Sequence, residues 1–220
     1  MTIAVRDTDA GERAASGAPG EDGTRLRVAR LDLADPASVA RSMDEWDRPL
    51  PLLVANAGVV TAGPERTAQG WELQLATNHL GHFALTVGLH DALRAGAEAH
   101  DGARVVVLSS TAHMRAGVDF DDLQFERRPY DPQTAYAQSK TANSLFAVEL
   151  TRRRQGDGIT ADAVNPGGIA TGLQRSFSQQ QKDSLAAAEA AGVFRWKSLE
   201  QGATTLVAAV HPAFAGTGGH

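Results

Sequence analysis

The amino-acid sequence predicts an α/β fold built on a doubly wound parallel sheet. Three observations carry that reading. Short apolar runs alternate with longer stretches of helical periodicity, the pattern of repeated strand–helix–strand units. The run PLLVA (51–55) is nearly all apolar, as a strand buried on both faces should be. Polar residues collect where the runs end: Asn56-Ala57-Gly58, Ser109-Ser110 and Asn165-Pro166-Gly167-Gly168. In doubly wound sheets ligands bind beyond the carboxyl ends of the strands, so three such clusters in register point to a site.

The elements follow in order. Thr2 to Val5 reads as a strand, and Ala10 to Ala15 as the start of a helix. Residues 16–24, SGAPGEDGT, form a polar Gly/Pro loop. Gly17, Gly20 and Gly23 within it are spaced by three but do not open a helix directly after a strand, and they read as a surface turn. Arg27 to Leu31 is a second strand, followed by Asp35 as a helix N-cap with Pro36 at the first helical position. Pro51 to Ala55 is the third strand, and a long helix covers roughly Gly70 to Leu93. Ala103 to Leu108 is the clearest strand. An irregular stretch from Thr111 to Pro132 precedes a helix from about Ala135 to Arg154. Thr160 to Val164 is a further strand and Leu199 to Val210 a further helix. No internal repeat or linker divides the chain, so residues 1–220 are expected to form one domain.

Bulk properties narrow the function. A chain of 220 residues fits one domain with a sizeable core, and 42% apolar residues exclude a disordered chain. The net charge of -5 argues against a nucleic-acid partner. The absence of cysteine excludes disulfides, thiolate catalysis and Cys-type zinc sites. No apolar run approaches the roughly 18 residues of a membrane span, and the N-terminus lacks a basic-then-apolar leader. A soluble cytoplasmic protein with no membrane partner is the expectation. His79 and His82 lack a third ligand, so no metal site is expected.

The strongest chemical signal is Tyr136-Ala-Gln-Ser-Lys140. Positions i and i+4 share a helix face, so phenol and ammonium project into the same space. A nearby cation stabilises the phenolate and lowers the tyrosine pKa from about 10, tuning Tyr136 as a general acid/base. His113, just after the serine pair, is a weaker candidate for approaching the substrate. The stretch FDDLQFERRPYD (120–131) reads as a charged, solvated flap bordering the cleft.

These residues carry a resemblance. LDL (31–33), NAG (56–58), TNHLGHF (77–83), VVVLSS (105–110), AYAQSK (135–140) and NPGGIAT (165–171) occur in the order found in the classical short-chain dehydrogenase/reductases, and the chain is most similar to their retinol-dehydrogenase-like branch. The resemblance implies a Rossmann-like fold and an NAD(P)-dependent oxidoreductase that interconverts an alcohol and a carbonyl by hydride transfer. It assigns proton transfer to Tyr136 and the nicotinamide ribose to Lys140. Ser110, preferred to Ser109, is assigned the substrate oxygen, and Asn78 a proton-relay water. The same resemblance gives Asp32 and Leu33 to the adenine, Asn56, Ala57 and Gly58 to the adenosine ribose, and Pro166, Gly167, Ile169 and Thr171 to the carboxamide. Arg6 ends the first strand, where an arginine suits a 2′-phosphate, so NADP is preferred and NAD is the alternative because Asp7 adjoins.

The chain departs from this family at its ends. The usual first strand and glycine-rich turn, which cradle the pyrophosphate, have no counterpart. The closing GTGGH resembles the lead-in to a final strand. The chain is therefore expected to be an incomplete domain with abnormal pairing around Thr2–Val5. Two function classes stay open: the oxidoreductase, expected to be homo-oligomeric through its long helices, and a non-catalytic remnant acting through protein–protein contacts.

Overall fold

The structure is a computed structural model that describes residues 1–17, 26–177, 179–193 and 195–211. Gly20, Gly23, most of the loop at 16–24 and the closing GTGGH lie outside the described residues.

Among the described residues five strands pair in parallel, in two sheets. β1 (Thr2–Val5) pairs with β2 (Arg27–Arg30), Thr2 opposite Arg27 and Val5 opposite Arg30. β3 (Leu52–Ala55), β4 (Ala103–Leu108) and β5 (Ile159–Val164) form the second sheet in the order β3-β4-β5. Among the described residues no strand joins β1 to β3, so the sheet is split where the resemblance places its central strand.

The two sheets share one core. Leu31, Leu33 and Val39 on the β2 side belong to the same buried cluster as Leu50, Ala55, Leu93, Val105 and Val107. α1 (Thr8–Ser16) begins at Asp7, whose carboxylate accepts from the Ala10 N–H at 3.0 Å. It lies flat on β1 and β2 at Gly11, where a Cβ would fall 2.7 Å from Val5 Cγ2 and 2.8 Å from Val28 Cγ1. α2 (Pro36–Asp44) starts at the expected Asp35 cap, which accepts from the Ala37 N–H at 3.0 Å. β4 is covered on both faces. Val105 and Val107 meet Phe146 and Ala147 on one side, while Val106 and Leu108 meet Leu206 and Val210 on the other.

Three expectations need correction, and one helix was not foreseen. β3 is not buried on both faces: Leu53 and Ala55 point into the core, whereas Leu52 and Val54 are each 39% exposed on the opposite, partly open face. The long helix at 70–93 is broken into α3 (Leu73–Leu75), a π-turn (Ala76–Leu80), α4 (Gly81–Gly88) and α5 (His90–His100). The Gly81 N–H bonds the Ala76 carbonyl five residues back, which marks the π-turn. The charged flap is partly buried, because the Asp122 carboxylate folds inward to accept from the N–H groups of Glu126, Arg127 and Arg128, and Phe125 is buried beside Tyr130. Finally, the segment after Thr171 contains an unforeseen helix, α7 (Gln179–Ala190), although its residues show little amphipathic pattern.

α6 (Pro132–Arg154) starts three residues earlier than expected, at an Asp131 cap that accepts from the Thr134 N–H at 2.7 Å. α8 is Leu199–Val210, as expected.

Candidate active site

The strand ends of the second sheet and two helices converge on Tyr136. β4 delivers two serines with opposite fates. Ser109 turns inward and bonds the Lys140 carbonyl and Ser144 Oγ, both at 2.9 Å. Ser110 turns outward, caps the 3-10 turn at Thr111–Arg115 by accepting from the Ala112 N–H at 3.2 Å, and lies beside the Tyr136 phenol, whose pKa it pulls down. Accepting that one bond leaves the Ser110 hydroxyl a second lone pair and its hydrogen.

Tyr136 and Lys140 share the inner face of α6, but their charges are arranged differently from the expectation. Lys140 Nζ donates to the Leu108 carbonyl at 2.9 Å and lies 5.6 Å from the Tyr136 ring centroid. Burial raises the Tyr136 pKa above its ordinary value, and only the Ser110 hydrogen bond pulls it back. Burial therefore sets the net direction, while the Lys140 ammonium rests on the strand end. Burial lowers the Lys140 pKa to about 8.

Asn78 sits on the π-turn with its side chain fully engaged. Its Oδ1 accepts from the Val59 N–H at 2.7 Å, and its Nδ2 donates to the Val59 carbonyl and Ser139 Oγ. The amide thus ties the loop after β3 to α6. The Asn78 carbonyl meets His82 Nδ1 at 3.1 Å. Burial lowers the pKa of both nearby imidazoles, that of His82 to about 4. Among the described residues no group of three His, Cys, Asp or Glu side chains has the spacing of a metal site.

The residues expected to meet a dinucleotide divide into three groups. Asn56, Ala57 and Gly58 leave the carboxyl end of β3 with Asn56 and Ala57 exposed, and a Cβ on Gly58 would lie 3.3 Å from Asn78 Oδ1 and 3.7 Å from Lys140 Nζ. On the β1–β2 sheet, Arg6 is exposed at the end of β1 and in no ion pair among the described residues. Asp32 spends a carboxylate oxygen on the Ala34 N–H at 3.0 Å, and the Leu33 side chain belongs to the core. The third group lies after β5. The Pro166 carbonyl accepts from Lys197 Nζ at 2.9 Å, and Gly167 has φ +85°. Ile169 packs on Gly202 of α8, and Thr171 caps the turn at Gly172–Ser176. His113 is held by its own turn, Nδ1 lying 2.6 Å from the Ser110 carbonyl.

Three participants escaped the sequence reading. Lys197 anchors the loop after β5, and nothing local to RWKS signals it. Asn143 lies three residues beyond Lys140 on the same helix face, a spacing that marks it once the face is known to be buried. Tyr130 donates to Glu72 Oε1 at 3.0 Å while Gln74 Nε2 donates to Tyr130 Oη and the Pro132 carbonyl, both at 3.0 Å. This cluster pins the start of α6 to α3, and burial beside the Glu72 carboxylate pushes the Tyr130 pKa up to about 12.

Comparison with known proteins fits this geometry. The family model described as short chain dehydrogenase matches residues 1–182. A Streptomyces antibioticus protein named "Probable oxidoreductase" is 48% identical over 202 residues, 89% of this chain and 64% of its own length. Human retinol dehydrogenase 13 is 41% identical over 180 residues, 80% of this chain and 53% of its own length. The chain thus spans between half and two thirds of the length of these relatives. Among solved structures, the Pseudomonas aeruginosa RhlG/NADP active-site complex superposes with a TM-score of 0.71 at 23% identity, covering 96% of this chain and 80% of that one. With Ser110, Tyr136 and Lys140 gathered at the carboxyl edge of a parallel sheet and the family model matching most of its length, the chain belongs to the short-chain dehydrogenase family, alongside the retinol dehydrogenases.

Proposed function

We propose that this chain carries the proton-transfer centre of an NADP-dependent oxidoreductase interconverting a small alcohol and its carbonyl. The observation that carries the reading is Lys140 Nζ 5.6 Å from the Tyr136 ring centroid on one face of α6, with Ser110 just beyond the end of β4. Ser110 would donate its hydroxyl hydrogen to a substrate oxygen, an electrostatic role that strengthens as charge develops there. The raised pKa keeps the Tyr136 phenol protonated at neutral pH, the state needed to deliver a proton to a carbonyl oxygen. The bound nicotinamide would supply the hydride. The backbone at Gly58, where a side chain would crowd Asn78 and Lys140, leaves room for close approach of the cofactor. Lys140 and the loop at 166–171 would hold its nicotinamide end, Asp32 and Asn56 to Gly58 its adenosine end, and Arg6 a 2′-phosphate. NAD remains the alternative cofactor, since Asp7 lies beside Arg6.

The expected outcome is NADPH-dependent reduction of an aldehyde or ketone in a substrate panel, with Tyr136→Phe slowing turnover about 10²–10⁴-fold. Arg6→Asp should shift preference from NADPH toward NADH. Turnover unchanged in Tyr136→Phe rejects the assignment of the acid/base.

A second reading is a fold that no longer turns over substrate and acts through protein contacts. The split between β1 and β3 favours it, because that gap interrupts the surface on which a dinucleotide would lie. Fluorescence titration with NADPH separates the two. Micromolar affinity in the 220-residue chain supports the enzyme, and no binding at millimolar NADPH supports the remnant.

A further inference from the structure

The 3-10 turn at Thr111–Arg115 is a weak element in an exposed place. Such turns have poor internal hydrogen-bond geometry, and of its residues only Ala112 is buried. His113 supplies what burial does not. Its main-chain N–H donates to the Ser110 carbonyl at 3.0 Å, and its ring meets the same oxygen through Nδ1 at 2.6 Å. A carbonyl oxygen only accepts, so this contact places the imidazole proton on Nδ1. The carbonyl of His113 in turn lies 3.0 Å from Thr141 Oγ1, which follows Lys140 on α6.

Ser110 is thus held at both ends. Its Oγ accepts from the Ala112 N–H at 3.2 Å, and its carbonyl accepts twice from His113, through which it is tied to the helix carrying Tyr136. A serine hydroxyl can turn among staggered rotamers, and loosening this turn releases it from the one that rests on Ala112 beside the Tyr136 phenol. We propose that His113 is a positioning residue for Ser110, acting through the Nδ1–H that it donates to the Ser110 carbonyl. The proposal rests on the reading of Ser110 as donor to a substrate oxygen and adds the residue that aims it.

The chemistry at one ring position then matters more than the size of the side chain. Asparagine carries its Nδ2 at the place of Nδ1 and can keep the bond. Glutamine carries its amide one carbon further, near the place of Nε2, and cannot. Phenylalanine keeps a ring and donates nothing. A side chain that merely filled space would be replaced best by phenylalanine, with asparagine and glutamine alike.

Two measurements need neither cofactor nor substrate. Nitrogen-15 NMR of the imidazoles at alkaline pH, with the His113 signal assigned by its loss in His113→Asn, should show the Nδ1–H tautomer. Amide exchange at Ala112 should rise about tenfold in His113→Gln and in His113→Phe, and return near the parent rate in His113→Asn. Should one of the first two variants not fold, the other carries the comparison. In a chain that turns over, those two variants should lower kcat by up to about a hundredfold with the KM for NADPH unchanged, and His113→Asn should recover most of the loss. An Nε2–H tautomer, unchanged exchange at Ala112, or His113→Phe closer to the parent than His113→Asn overturns the proposal. A chain with no turnover fails the functional reading alone, because the tautomer and the exchange rates decide this one.

Discussion

Gly81→Ala should destabilise the protein, and Gly88→Ala, seven residues along the same helix, should not. At Gly81 the new methyl would fall 2.4 Å from the Leu33 carbonyl oxygen, 2.7 Å from Leu33 Cβ and 3.0 Å from the Leu33 carbonyl carbon. Carbon–oxygen contacts normally close at about 3.3 Å, so α4 must retreat by roughly 1 Å. Leu33 cannot yield easily, because it is held between Asp32, whose N–H bonds Ser38 Oγ, and the Asp35 cap of α2. Overpacking of this kind costs about 1–3 kcal/mol, and a backbone obstacle belongs at the upper end. Alanine returns at most ~1 kcal/mol through its better helix propensity. The net loss is about 2 kcal/mol, or roughly 4–8 °C in Tm for a chain of this size. At Gly88 the methyl would meet Met43 Sδ at 1.9 Å, but all three nearest atoms belong to that flexible thioether, which can turn aside. Gly88→Ala should stay within about 0.5 kcal/mol of the parent. Urea and thermal unfolding followed by circular dichroism measure both. Equal stability of the two variants would refute the claim that Leu33 fixes the approach of α4.

Two further outcomes are expected. His82 has its pKa lowered by burial from 6.5 to about 4, so the unfolded chain binds a proton that the folded chain refuses. Its contribution is complete above pH 6.5, is lost as pH falls toward 4, and amounts to at most about 3 kcal/mol. Urea midpoints at pH 7 and pH 5 should therefore converge in His82→Gln, and an undiminished difference would place the acid sensitivity elsewhere. Phe83, Val87, Leu145 and Val148 on α4 and α6 are each between 44% and 52% exposed, a patch that suits a second copy of the chain. Light scattering at micromolar concentration should report a homo-oligomer, and Phe83→Glu should reduce it to a monomer.

Local chemistry made much of this fold legible. The Asp35-Pro36 cap, the ARVVVL strand and the helix Leu199–Val210 follow from capping, apolar runs and helical periodicity, which act within a few residues. The π-turn at Ala76–Leu80 was hidden because its local partners are distant in sequence. Asn78 reaches Val59 and Ser139, and Gly81 accommodates Leu33. The same holds for the flap, whose charges read as solvated until Asp122 is seen to bond three consecutive N–H groups. At the site, the i, i+4 spacing marked Tyr136 and Lys140, and the strand end together with the family resemblance marked Ser110. The resting place of the Lys140 ammonium depends on the Leu108 carbonyl, and sequence spacing carries no information about it.

The split sheet has a dynamic consequence. β1 and β2 share hydrogen bonds with each other but not with β3, so among the described residues their attachment is chiefly side-chain packing through Leu31, Leu33, Val39 and the contact of α2 with α4. A part held without shared backbone hydrogen bonds opens at lower free energy than the β3-β4-β5 core, and behaves as a separate foldon. Amides of residues 2–5 and 27–30 should then exchange with solvent well before those of 103–108. Any ligand that needs Arg6 and Lys140 together must wait for this foldon to close, and its apparent affinity scales with the closed fraction.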